Sequence, residues 1–189
     1  MTERRQGRCR AMAIGAVVMA GVGLGWGAPA TGATRAEIDA GVAATRTACA
    51  AQVPGCRTAA ERAHGMLVFP EITEAGLGIG GSYGEGALVV DGAVVGYYSS
   101  TSVSVGLQIG AEKRATVIMF MTARALDDFR HSSGWTAGAD ASVTLIDQGN
   151  SADVDTLIDK EPVLAFVFGQ KGLMGDLSLK GAKIKRIER

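Results

Sequence analysis

Two histidines and three cysteines, with no C-x-x-C pair, are all that this 189-residue chain offers a transition metal, so a zinc site has no ligand set. Aromatic residues make up only 5%, and 19 Lys and Arg balance 19 Asp and Glu, which removes the basic surplus of a nucleic-acid binder. Four prolines and no G-X-Y period accompany the 27 glycines, so neither collagen nor a low-complexity linker accounts for them. They belong inside a packed fold. One long apolar run exists, Ala11 to Trp26, and it falls short of the ~20 residues of a transmembrane span. What remains is 47% hydrophobic and 20% charged, the composition of a single folded domain.

The apolar run has the setting of an export signal. Arg4, Arg5, Arg8 and Arg10 precede it, and Ala28-Pro29-Ala30 supplies an A-x-A cleavage site. Residues 1–33 are therefore expected to be a signal peptide and 34–189 a single mature domain, periplasmic or secreted, at the periphery of a membrane. Cys9 stands before the apolar run, where it cannot serve as a lipidated cysteine. The mature part keeps 15 basic and 18 acidic residues, a net charge of −3. That charge is lopsided. Lys171 to Arg189 carries six basic residues against Asp176 and Glu188, or +4, which leaves −7 for Thr34 to Gln170.

Thr34 and Glu37 have the spacing of a capping box, and Ile38, Val42, Cys49 and Val53 follow at helical period until Pro54-Gly55. A second short helix is expected over Thr58–His64. From Met66 the period changes to two. Strands are expected at Met66–Phe69 (closed by Pro70), Ala87–Val90, Ala93–Tyr98, Thr101–Ile109 and Thr116–Met121, and Asp91-Gly92 is a strong hairpin signal. Thr122 caps a third helix to about Arg130. Trp135 to Ile146 alternates small residues, Asp147 to Asp155 reads as a polar loop, Val163–Phe168 is a buried run, and Leu173–Ile187 closes the chain. The pattern predicts an α+β domain of about eight strands and three short helices, two of them at the mature N-terminus, with a predominantly antiparallel sheet forming a sandwich or barrel.

Three motifs invite a chemical reading. Gly80-Gly81-Ser82-Tyr83-Gly84 fits the G-x-S-x-G nucleophile elbow, but a strand and not a helix is expected after it, so a serine hydrolase using Ser82 is the minor alternative. Gly76, Gly78 and Gly81 fit G-x-G-x-x-G without the helix that a dinucleotide site needs. Glycines at 76, 78 and 80 instead leave one strand face bare for a close backbone or ligand. Asp147, Asn150, Asp153 and Asp155 lack the spacing of a calcium loop. No cofactor is expected. Cys49 and Cys56 would be the two cysteines left after export: either they bridge across the Pro54-Gly55 reversal, or they pack as two small apolar residues under the helix.

The blocks GMLVFPEITEAGLGIGGSYGEGALVV, GYYSSTSVSVGLQIGAE, VIMFMT, ALDDFRHSSGW, GADASV and VLAFVFGQKGLMGDLSLKGAKI, in this order, resemble the SYLF domain family. The resemblance implies lipid binding without catalysis. Eukaryotic members look like phosphoinositide and actin binders that use an N-terminal amphipathic helix and basic residues; bacterial members are secreted or lipid-anchored. This chain departs from the latter in having no lipobox cysteine. The expected partner is an anionic phospholipid or membrane surface, with a structural envelope role lacking a lipid ligand as the alternative.

The expected lipid contacts are Lys180, Lys183, Lys185 and Arg186, the one basic concentration in an acidic domain, with Arg35 and Arg46 of the first helix added. Lysines on a terminal edge strand also block edge-to-edge pairing, the plainer explanation of such a cluster.

Overall fold

Thr34 accepts from the Glu37 amide, and the Glu37 carboxylate accepts from the Thr34 N–H at 2.7 Å, so the expected capping box opens α1 (Arg35–Gln52). The computed structural model describes residues 32–147, 154–171 and 179–189. The expected signal peptide, apart from Gly32 and Ala33, lies outside the described residues, as do Asn150 and Asp153 of the acidic loop. Ile38, Val42, Thr45 and Cys49 form the buried stripe of α1. The chain reverses at Gly55 (φ 75°) into α2 (Cys56–Arg62), two residues earlier than predicted.

Next comes a single long hairpin. β1 (Gly65–Val90) and β2 (Ala93–Phe120) pair antiparallel from Gly65–Phe120 to Val90–Ala93, joined by Asp91-Gly92 with both φ angles positive. Strands predicted as separate pieces are thus continuous. Pro70 does not end β1: it lies with Glu71 in a bulge opposite Ala115, where its missing N–H costs no ladder bond. A second irregularity lies between the pairs Leu77–Ile109 and Ile79–Val105, where β2 has two extra residues.

β1 also doubles back on itself at this point. A Cβ on Gly76 would lie 2.4 Å from the Gly80 Cα, the backbone approach anticipated for the alternating glycines. Further along, a Cβ on Gly84 would lie 2.7 Å from the Glu71 carbonyl oxygen.

After the hairpin, Thr122 caps α3 (Ala123–His131) by accepting from Ala125. β3 (Trp135–Thr136), β4 (Thr144–Asp147), α4 (Val154–Lys160), β5 (Val163–Lys171) and β6 (Lys183–Ile187) follow. The described residues therefore form six strands and four helices. The extra helix, α4, starts within the predicted polar loop and connects β4 to β5, the one parallel pair; parallel neighbours need such a crossover. Sheet order is β3-β6-β2-β5-β4, with β1 on the other side of β2.

The mixed α+β sheet is curled and buried on both faces over much of its area. Along β1, β2 and β5 the side chains alternate between two clusters. Val68, Val117, Met119, Leu164 and Phe166 pack against α1, α2 and α4. Leu67, Phe69, Ile118, Phe120, Val163 and Ala165 pack with Phe129 of α3 and Trp135.

Candidate lipid-contact face

Residues directly opposite each other on neighbouring strands share a sheet face, so the pairing register assigns the side chains of β6. Thr101 lies between Tyr83 of β1 and Lys183 of β6, and Lys183 in turn faces Thr136. The adjoining row is Glu85–Ser99–Lys185, and beyond the first row stands Gly81–Val103. Lys183, Lys185, Tyr83 and Val103 therefore share one face, and period two adds Ile79. Val103 is 79% exposed, Ile79 69% and Tyr83 51%, the most exposed large apolar side chains among the described residues.

α1 leaves this area open because its contact with the sheet near its N-terminus is centred one row further on. Arg35 stacks over the Tyr97 ring at 5.4 Å, and the Tyr97 hydroxyl donates to Asp39 at 2.9 Å. Arg35 also donates to the Arg189 carbonyl oxygen. The one acid in the rows, Glu85, is neutralised by Arg189 and accepts from the Tyr83 hydroxyl and the Ala33 amide. That carboxylate pushes the Tyr83 phenol above its ordinary value, with burial adding to the effect. Lys183 and Lys185 make no ion pair among the described residues.

The six basic residues expected to meet lipid thus separate. Lys183 and Lys185 stand together. Arg186 points to the opposite face, paired in register with Tyr98, in a crevice it shares with Arg130 and His131. Lys180 lies at the turn before β6, against Gly138. Arg35 is engaged with Tyr97 and the C-terminal residue, and Arg46 lines a groove between α1 and α2. The edge-protection reading loses force at Lys183, because β6 is flanked by β2 and β3. Sequence reasoning did not find Tyr83, Ile79 or Val103, whose exposure depends on where α1 stops.

Cys49 and Cys56 are disulfide-bonded, with Cα atoms 5.9 Å apart, inside the geometric range for a bridge. Ser82 lies within extended β1, not at a strand-to-helix elbow, and its hydroxyl shares a 2.7 Å hydrogen bond with Ser102. The His131 ring meets the Asp127 carbonyl within α3. The arrangement expected of a nucleophile elbow is missing at Ser82.

Residues 101–188 match the family model described as Ysc84: Las17-binding protein actin regulator. That stretch matches the family which the sequence blocks resemble. A search of curated proteins finds no match. The matched stretch runs from within β2 through β6, so it includes Thr101, Val103, Lys183 and Lys185. Tyr83 and Ile79 lie before it, on β1, which pairs with the β2 part of that stretch. Among the described residues, no helix is long and apolar enough to cross a membrane.

Proposed function

We propose that this chain is an exported, non-catalytic lipid-binding protein whose SYLF domain contacts anionic phospholipid at the cell envelope through the face bearing Tyr83, Val103, Lys183 and Lys185. The single observation that carries the reading is the row Tyr83–Thr101–Lys183, which sets an exposed aromatic beside an unpaired cation next to exposed Val103 and Ile79. Such a surface suits a bilayer interface. Lysines near an anionic surface contribute about 1 kcal/mol each, and the apolar side chains add burial at the headgroup boundary. Two lysines hold the domain weakly and reversibly.

Export is supported by the arginine-led apolar segment and by the disulfide, which persists in oxidising compartments. In a periplasm the lipid would be phosphatidylglycerol or cardiolipin, since phosphoinositides and actin would be absent there. The test is sedimentation of the mature domain with phosphatidylglycerol, cardiolipin or phosphatidylcholine vesicles at rising salt. Retention on the two anionic lipids that falls with salt is expected; no retention on any vesicle would overturn the reading.

A further inference from the structure

Away from the lysine face, α1 and α2 stand apart over the sheet and leave a groove of about 520 Å³. One wall is Ala43, Arg46, Thr47 and Ala50 of α1, residues spaced three and four apart and so on one helix face. Cys56, Arg57, Ala60 and Glu61 of α2 form the other. The floor is Met66, half-buried, with Val117 and Met119 nearly inaccessible beneath; Met66 and Met119 are register partners across β1 and β2. The helix positions that could have filled the space are alanines and a threonine. The disulfide keeps the two walls at a fixed distance where they converge.

The lining has a definite polarity. The floor is apolar and includes two methionines, side chains that adapt to ligand shape. The side chains of Arg46, half-buried, and Arg57, exposed, make no ion pair or hydrogen bond among the described residues, and with Glu61 they leave the rim at +1. The volume lies within the ~300–1,000 Å³ of small-molecule sites.

We propose that this groove binds a single-chain anionic amphiphile, with its hydrocarbon over Met66 and between Ala43, Ala50 and Ala60 of the walls, and its head between Arg46 and Arg57. A free fatty carboxylate and a lysophospholipid share that chemistry. This inference deepens the lipid-binding reading, but uses a different surface from the lysine face.

The test is calorimetric titration of the mature, disulfide-bonded domain with monomeric dodecanoate, with lysophosphatidylglycerol and with uncharged dodecanol. One-to-one, saturable binding of at least one anionic probe is expected, and the tighter of the two identifies the source. Arg46→Gln and Arg57→Gln should each weaken it roughly tenfold, the loss of one charge-assisted contact. Ala50→Trp fills the groove from the helix surface and should abolish binding with little change in melting temperature; Ala43→Leu is the second variant if the first fails to fold. Absence of saturable binding by both anionic probes, equal affinity for dodecanol, or full binding by the filled variant would each overturn the proposal. Vesicle sedimentation separates the two surfaces: Ala50→Trp should still sediment with phosphatidylglycerol vesicles, and Lys183→Gln/Lys185→Gln should still bind the single-chain probe.

Discussion

Gly86 lies directly against the backbone of Val68: a Cβ at position 86 would sit 2.1 Å from the Val68 carbonyl oxygen. That contact lets β1 fold back on its own first half, and it brings Tyr83 and Glu85 to the edge of the helix-covered area. Gly86→Ala should cost about 3 kcal/mol, the upper range of overpacking, because a backbone atom cannot swing aside. Gly92 (φ 80°) has open space around its Cβ direction, so Gly92→Ala should cost only the left-handed backbone penalty, about 1 kcal/mol. Urea unfolding of both variants checks the difference; equal midpoints would contradict the close approach.

A buried charge cluster stabilises the same curled ribbon. Arg114 donates to Glu74 at 2.7 Å, both nearly inaccessible, and Glu112, 2% exposed, faces Glu74 in register. One Glu112 carboxylate oxygen has no hydrogen-bond partner among the described residues. Removing the buried guanidinium that pairs with the Glu74 carboxylate should be severe: Arg114→Met is expected to cost about 3 to 5 kcal/mol. Arg114→Met combined with Glu74→Met should recover a large part of that loss, as measured by a double-mutant cycle. Additive losses would show that the pair is not coupled.

Much of this architecture was legible where the signals are local. The capping box at Thr34 and Glu37, the Asp91-Gly92 turn, the Thr122 cap and the Cys49–Cys56 bridge all lie within a few residues along the chain. The continuity of β1 through Pro70 was not legible, because a bulge that excuses a proline is a property of the strand opposite. Nor was the fold-back at Gly84 and Gly86, which needs a partner segment some fifteen residues away. The basic tail was visible as charge, but composition does not distinguish Lys185 from Arg186; only the two-residue period sends them to opposite faces. The strand from Thr101 to Ile109 was legible from its two-residue period, and the exposure of Val103 on it was not.

The disulfide closes a short loop between α1 and α2. Its removal by Cys49→Ala with Cys56→Ala should lower stability by about 2 kcal/mol in the chain-entropy account. Alkylation of the native protein followed by mass spectrometry should find neither cysteine modified before reduction. Modification of both would contradict the bridge.

All three tyrosines have raised phenol values, each for its own reason. Tyr83 is held up first by its hydrogen bond to Glu85, Tyr97 first by burial and then by Asp39, and Tyr98 by burial. A phenol raised in the folded state gives its stabilisation in full below the unfolded value near 10, and that contribution is lost as pH rises through the folded value. Ultraviolet titration should therefore show no tyrosine ionising at the ordinary midpoint while the protein is folded. Glu85→Gln should bring one of the three downward. An unchanged titration in that variant would contradict the Tyr83–Glu85 bond.

The central claim is that anionic lipid meets the Lys183 and Lys185 face, and the most direct measurement is phosphatidylglycerol-vesicle affinity across a salt series for two variants of matched chemistry. Lys183→Gln/Lys185→Gln should bind ~30-fold more weakly at low salt, from about 1 kcal/mol per lysine, with a shallower salt dependence and an unchanged melting temperature. Arg186→Gln, next to Lys185 in sequence but on the opposite sheet face, should bind nearly as the parent does. Full-strength binding by the double lysine variant, or an equal loss from Arg186→Gln, would contradict the assignment.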